Sequence, residues 1–136
     1  MDFSTSLIVA ASGMRAQSDR MRTIAENIAN ANSGATTPGG DPYRRRIPTM
    51  LSEFDRELNA TLVTTGKPVL DGSDFSTKYD PGNPNADAKG YIKMPNVNSL
   101  IEMMDMREAQ RSYEADLTVM DASKSMMART VDLLRK

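Results

Sequence analysis

The sequence predicts a mainly α-helical fold, in which long N- and C-terminal helices form a coiled-coil-like pair with a small β-hairpin and loop region between them. All seven prolines and seven of the eight glycines lie between Ser33 and Val97. Because Pro and Gly interrupt helices, the two ends can be long helices and the middle cannot. We therefore expect three segments: an axial helix at 1–32, a β and loop region at 33–97 and a second axial helix at 98–136.

The N-terminal segment carries apolar residues at alternating spacings of four and three, which is the a/d pattern of a coiled coil. One position of this stripe is polar, Ser18, and the small alanines would let a partner helix approach closely. The stretch from Asn30 to Gly34 is a helix stop signal. The apolar positions expected to form an assembly interface are Leu7, Ala11, Met14, Met21, Ala25 and Ile28.

The C-terminal segment repeats this pattern over a greater length, with polar interruptions at Gln110 and Lys124. Ser99 and Glu102 have the spacing of a capping box, and Asn98 is a rival N-cap. The apolar positions expected in the interface are Met103, Met106, Tyr113, Leu117, Met120, Met127, Val131 and Leu134.

Each stripe can be read as the core face of a helical hairpin or as a surface for assembly. A hairpin is the commoner outcome, but roughly 45 and 55 Å helices are too long to wrap so small a core, and methionine-rich surfaces tolerate varied neighbours. We therefore expect assembly. A compact middle region would make the helices antiparallel, with Met14 facing Leu117, Met21 facing Gln110 and Ile28 facing Met103.

The middle region reads as short strands separated by turns. A strand from Tyr43 to Phe54 is interrupted by Pro48, which indicates an edge position. Turns are expected at Gly66–Lys67, at Asp71–Gly72 and from Asp80 to Pro84. The other strand candidates are Ala60 to Thr65, Pro68 to Leu70, Phe75 to Tyr79 and Tyr91 to Met94.

Composition argues against an enzyme. The chain has no Cys and no His, so it can build no thiol nucleophile, no disulfide, no Cys/His zinc site and no imidazole base. Gly66–Lys67 lacks the rest of a phosphate loop, and the oxygen donors from Asp80 to Asp87 miss the calcium-loop spacing. We predict no catalytic residue, no cofactor and no metal.

Charge and hydropathy restrict the partners. A net charge of −1 gives no reason to expect nucleic acid, and the basic run Arg44–Arg46 fits a solvated or subunit-contacting strand better. No apolar run is long enough for a membrane span. The N-terminus lacks the basic region of a cleaved signal peptide, so these signals alone predict a cytoplasmic protein.

Two end motifs resemble those of bacterial flagellar axial proteins. The first is Ser12–Gln17 followed by the Asn-Ile-Ala-Asn box at Asn27–Asn30, and the second is Arg111–Ala115 with Lys124–Met127. The run from Tyr79 to Asn98 and the insertion at 33–42 are similar to one of two sister proximal-rod families. Both sisters share the end motifs.

The resemblance implies a structural subunit of the proximal rod of the flagellar basal body, exported by the flagellar type III apparatus without cleavage. It implies contacts with other rod proteins and with copies of itself, and a place in the periplasmic space, which replaces the cytoplasmic prediction. The alternatives are the sister rod family and a cytoplasmic coiled-coil adaptor or export chaperone.

Overall fold

The computed structural model describes residues 3–135, which form two long helices with six short strands between them. Helix α1 has 27 residues and α2 has 36, or roughly 40 and 54 Å at 1.5 Å per residue. The elements in chain order are α1 (Phe3–Ala29), β1 (Arg46–Ile47), β2 (Met50–Asp55), β3 (Ala60–Thr65), β4 (Val69–Leu70), β5 (Ser76–Tyr79), β6 (Tyr91–Met94) and α2 (Ser99–Leu134). The predicted order of two long terminal helices with a small β region between them is confirmed.

Both helix boundaries near the middle region follow from local side-chain chemistry. At the end of α1, the Asn30 side-chain amide donates to the carbonyl of Glu26 at 2.8 Å, which satisfies an acceptor in the last turn. At the start of α2, the side chain of Asn98 accepts from the backbone N–H of Leu100 at 3.0 Å. Asn98 is therefore the N-cap, and the capping box predicted for Ser99 and Glu102 is wrong. The carboxylate of Glu102 is used elsewhere.

The strands form three separate antiparallel pairs: β1 with β4, β2 with β3, and β5 with β6. Pro48 falls between β1 and β2, as its missing N–H predicts. In the β2–β3 hairpin Met50 pairs with Thr65 and Asp55 with Ala60. The intervening turn places Asn59 at a φ of 47°, in the left-handed region that Asn tolerates better than most residues.

The chain divides into two compact units, and each helix contributes to both. Unit 1 contains the start of α1, the β2–β3 hairpin and most of α2, whereas unit 2 contains the other two strand pairs, the end of α1 and the start of α2. Among the described residues, unit 1 comprises 3–21, 49–67 and 107–135, and unit 2 comprises 22–48 and 68–106.

Buried apolar residues in the described part of the chain are few and mostly small. In unit 1 they are Ala10, Ala16, Ala60 and Ala109. Small side chains bury little apolar area each, but they let backbones approach closely. Unit 2 buries Ile24, Ala35 and Ile92, with the polar Asn27 and Glu102 among its most buried side chains.

Within unit 1 the two helices touch in an antiparallel sense. A Cβ built on Gly13 would lie 2.6 Å from Oδ2 of Asp116, and Arg20 contacts Glu108 at 3.3 Å. The predicted antiparallel direction is therefore confirmed in this unit. The register differs slightly from the expected pairing of Met14 with Leu117, by one residue on each helix.

Candidate assembly surfaces

A clamp centred on Asn27 holds unit 2 together. The Asn27 side chain is fully buried, and its Oδ1 accepts from the backbone N–H of Arg46 at 2.9 Å and from the Tyr43 hydroxyl at 2.8 Å. Its Nδ2 donates to the carbonyl of Arg46 at 2.8 Å and to Glu102 Oε2 at 3.0 Å. One side chain thus fixes a strand backbone through both polar groups, as a neighbouring strand would, and joins it to both helices.

The carboxylate of Glu102 is 1 % exposed and is compensated by a cation. Arg45 Nε donates to Glu102 Oε1 at 2.5 Å, while its other nitrogens lie 3.3 Å from Asp71 and 3.7 Å from Asp105. Burial works to lower the pKa of Arg45, but hydrogen bonds and charge from Glu102 and Asp71 outweigh it and raise the pKa. A buried carboxylate without such a partner would be strongly unfavourable.

The other two arginines of the basic run also find partners inside unit 2. Arg44 lies over the Phe75 ring at 4.1 Å and donates to two backbone carbonyls. Arg46 contacts Glu26 at 3.1 Å, and its guanidinium lies 5.9 Å from the Tyr43 ring centre. All three arginines thus have partners within unit 2, although Arg46 remains exposed. Intrachain ion pairs and ring contacts occupy the run.

In the turn at 80–90, the carboxylate of Asp87 accepts hydrogen bonds from the backbone of the same turn. Asp87 Oδ1 accepts from the backbone N–H of Lys89 at 2.8 Å and of Tyr91 at 2.9 Å, and hydrogen bonding by Tyr91 chiefly lowers its pKa. Gly90 has a φ of +82°, where a side chain would be strained and would meet the Tyr79 ring. Among residues 3–135 no group of three or more acidic side chains is arranged to hold a metal ion.

Unit 1 contains a cleft of about 590 Å³ between the two helices and the β2–β3 hairpin. Its walls are mostly apolar and include Val9, Val63 and Val119. Four polar residues, Ser6, Gln17, Ser112 and Asp116, also line it. Oε1 of Gln17 is buried without a hydrogen-bond partner, and burial raises the pKa of Asp116.

None of the fourteen predicted interface residues is fully buried within the chain. Those that are half-buried are Leu7, Met14, Met21, Ile28, Met106, Tyr113 and Met120. Those that are exposed are Ala11, Ala25, Met103, Leu117, Met127, Val131 and Leu134.

The buried positions lie one residue earlier along each helix. On α1, Ala10, Ile24 and Asn27 precede Ala11, Ala25 and Ile28, and on α2 Glu102 precedes Met103. One residue is a rotation of about 100° on a helix. The intrachain contacts therefore use a face beside the apolar stripes and leave the stripes partly open. They do not establish coiled-coil packing within the chain.

Sequence reasoning missed the clamp and the close approach at Gly13. Asn27 lies in the Asn-Ile-Ala-Asn box, which the sequence singled out only as a family signature. Asn27 lies one residue before Ile28 and outside the apolar stripe, so the spacing of apolar residues gave no signal for its buried hydrogen bonds. The role of Glu102 was hidden because its spacing from Ser99 suggested a local cap.

In the described part of the chain, neither helix combines the length and the apolar character that a membrane span requires.

Two family models of flagellar rod proteins match the two ends of the chain. A family model described as "Flagella basal body rod protein" matches residues 7–35, and one described as "Flagellar basal body rod FlgEFG protein C-terminal" matches residues 88–133. The first match covers most of α1 with the Asn27 box, and the second covers β6 and nearly all of α2. These ends are those of flagellar basal-body rod proteins.

Relatives that match over most of the chain indicate which family of rod proteins it belongs to. The flagellar basal-body rod protein FlgC of Agrobacterium fabrum is 52% identical over 127 residues, which cover 93% of this chain and 91% of that protein. FlgC of Aquifex aeolicus is 37% identical, with 97% of each chain covered, and FlgC of Escherichia coli O6:H1 is 41% identical, with 92% of each covered. The chain belongs to the FlgC family of flagellar basal-body rod proteins. The expected family is confirmed, and the sister family, FlgB, is not favoured.

Proposed function

We propose that this chain is a structural subunit of the proximal rod of the bacterial flagellar basal body and that it transmits torque by helix packing between subunits. Membership of the FlgC family supports the rod role. The observation that supports the packing mechanism is the state of the stripes: Leu117 is 41 % exposed, Val131 57 % and Leu134 83 %. Apolar side chains aligned on one helix and left in water favour burial against a partner.

The three segments have different parts in this proposal. The two helices supply coiled-coil-like contacts to other rod proteins and to copies of the same chain, through the fourteen stripe residues named above. The region at 33–97 orients the helices, because the Asn27 clamp ties the strand backbone at Arg46 to both of them. The chain performs no catalysis. It reaches the periplasmic part of the basal body through the flagellar type III export apparatus, without cleavage of a signal peptide.

The proposal is tested by replacing FlgC in Agrobacterium fabrum with this chain. We expect the chain to restore swimming and to be recovered in purified basal bodies. Recovery only as a discrete oligomer in the cytoplasmic fraction would instead support an adaptor or export chaperone and would overturn the rod assignment.

A substitution pair tests the packing mechanism. Leu117→Asp places a charge on the stripe, where burial against a neighbour would cost several kcal/mol. Thr118→Asp is the matched control, because Thr118 is the next residue of α2 and is also exposed. We expect Leu117→Asp to abolish swimming and Thr118→Asp to preserve it, with both purified chains folded. Normal swimming by the Leu117→Asp strain would contradict packing along this stripe.

A further inference from the structure

The cleft of unit 1 contains hydrogen-bond acceptors that lack donors. Its lining includes the hydroxyls of Ser6 and Ser112 and two acceptor groups, the Asp116 carboxylate and the Gln17 carbonyl oxygen. No described side chain donates a hydrogen bond to either of these two acceptors. Gln17 Oε1 is buried without a donor, which is unfavourable. The volume of about 590 Å³ falls within the range of roughly 300–1,000 Å³ typical of ligand pockets. A suitable occupant is therefore apolar over most of its surface and carries several N–H donors.

The last turns of α2 carry both apolar side chains and N–H donors, and they are not packed against the rest of unit 1. Every described residue from 124 to 135 is exposed. The register set by Gly13 and Asp116 brings the first residue of α1, Phe3, opposite Met126, so α2 continues about two turns past it. We call residues 127–135 the α2 tip.

One line along the α2 tip combines apolar and cationic groups. Met127, Val131 and Arg135 are four residues apart, so their side chains share one helix face. Met127 and Val131 match the apolar walls of the cleft in character. The guanidinium of Arg135 carries five N–H donors in a fixed fork, which suits a carboxylate and an adjacent amide oxygen better than a lysine would.

We propose that the α2 tip of one copy docks into the unit 1 cleft of a neighbouring copy, with Arg135 donating to Asp116 and Gln17. This inference rests on the proposed function, because the two copies meet only in an assembly. The contact joins two different surfaces of the same chain, so it is heterologous and repeats from one copy to the next. It supplies donors to the buried Gln17 oxygen and to the half-buried Asp116 carboxylate, and it covers apolar residues of the tip at the same time.

Disulfide trapping tests the contact directly, since the chain has no native cysteine. Val119→Cys in the cleft and Val131→Cys on the tip are twelve residues apart on one helix, or about 18 Å. A disulfide needs Cα atoms within about 7 Å, so this pair can bridge only between two copies. In basal bodies assembled from the double variant, we expect a ladder of linked copies on a denaturing gel.

The matched control is Val119→Cys with Arg129→Cys, because residue 129 lies about 200° around the helix from residue 131. We expect at least tenfold more linked product from the 119/131 pair than from the control. Equal yields, or no linked product in well-assembled rods, would overturn the docking. A photo-crosslinker at position 119 that captured a different rod protein would overturn the choice of a second copy.

A charge exchange gives an independent readout. Asp116→Arg and Arg135→Asp alone should each reduce incorporation into basal bodies at least tenfold, while the double variant should restore it. Residues 116 and 135 are about 28 Å apart along α2, so restoration cannot arise within one chain. Arg129→Glu, a charge reversal about 200° around the helix from Val131, should leave incorporation unchanged. Failure of the double variant, with each purified chain folded, would overturn the pairing.

These outcomes separate the docking from the rod assignment. If the unmodified chain never enters basal bodies, the rod assignment fails and the docking fails with it. If the unmodified chain assembles and swims but the 119/131 pair does not link, only the docking fails.

Discussion

In unit 2 every hydrogen-bonding position of the Asn27 amide has a partner, whereas in unit 1 the carbonyl oxygen of Gln17 is buried with none. The same contrast holds for carboxylates: Glu102 is paired with Arg45, and Asp116 has no described partner. A fully satisfied buried polar network rigidifies and specifies one arrangement, whereas an unpaired buried polar group is costly. This contrast is what the docking proposal uses: unit 2 satisfies its central polar groups within the chain, and we propose that a second copy satisfies those of unit 1.

The largest expected effect on stability comes from breaking the clamp of unit 2. Asn27→Ala removes four hydrogen bonds, those to Glu102 Oε2, to the Tyr43 hydroxyl and to the N–H and carbonyl of Arg46, while Glu102 keeps its ion pair with Arg45. We expect the free energy of unfolding of the isolated chain to fall by about 3–5 kcal/mol, measured by denaturant unfolding.

The matched control for this prediction is Asn30→Ala, in the same Asn-Ile-Ala-Asn box. The Asn30 amide bonds only locally, to the carbonyl of Glu26 and the hydroxyl of Ser33. Its loss should cost less than about 1.5 kcal/mol. Equal losses at the two positions would mean that the clamp is not what holds unit 2 together.

The second prediction concerns the local stability of α2. Its start lies beside the clamp, with Glu102 buried, whereas all described residues from 124 onward are exposed. Helical turns without tertiary packing are marginal in water. Amide hydrogen exchange of the isolated chain should therefore be at least about 100-fold slower around Ala109 than around Val131. Uniform protection along α2 would contradict the division into a packed and an exposed part.

A smaller effect is expected where the two helices meet in unit 1. Gly13→Ala gains about 1 kcal/mol of helix propensity, but the new methyl would lie 2.6 Å from Asp116 Oδ2 and force that carboxylate to rotate. The opposing effects should leave the free energy of unfolding within about 0.5 kcal/mol of its original value. In an Asp116→Ala background the same change should stabilise by about 1 kcal/mol. Identical effects in both backgrounds would exclude the close approach.

The smallest expected effect is a dependence on pH that has opposite sign in the two units. Burial raises the pKa of Asp116 in unit 1, so the folded chain holds this proton more tightly than the unfolded chain does. Its contribution to stability therefore falls as pH rises from the unfolded value, near 3.8, through the folded pKa. Asp116→Asn should thus be stabilising at pH 7 relative to the original chain, and the difference should shrink toward pH 3.

Asp87 in unit 2 provides the contrast. Hydrogen bonds, chiefly from Tyr91, lower its pKa, so its contribution is present above the unfolded value near 3.8 and is lost as pH falls below it. Asp87→Asn should be destabilising at pH 7, and that loss should also shrink toward pH 3. Differences of the same sign for the two variants in denaturant titrations at both pH values would contradict this account.

Much of the secondary structure could be predicted because it depends on local chemistry. Pro48 separates two strands, and Asn98 caps α2, since a missing N–H and a short side-chain oxygen act within a few residues. Ala60–Thr65 forms a strand over the predicted range. The antiparallel sense of the helices followed from chain connectivity and holds where Gly13 meets Asp116.

The sequence by itself determined the two helices, the interrupted strands, the lack of thiol and imidazole chemistry and the family signature of the ends. Only the tertiary structure decided which helix faces are buried. The apolar stripes suggested one face, but small residues such as Ala10 and Ala109 allow a closer approach one residue earlier. The carboxylate of Glu102 likewise bonds Asn27 and Arg45 and not its own helix end. Such choices depend on the simultaneous fit of segments distant in sequence, and local spacing carries no information about that fit.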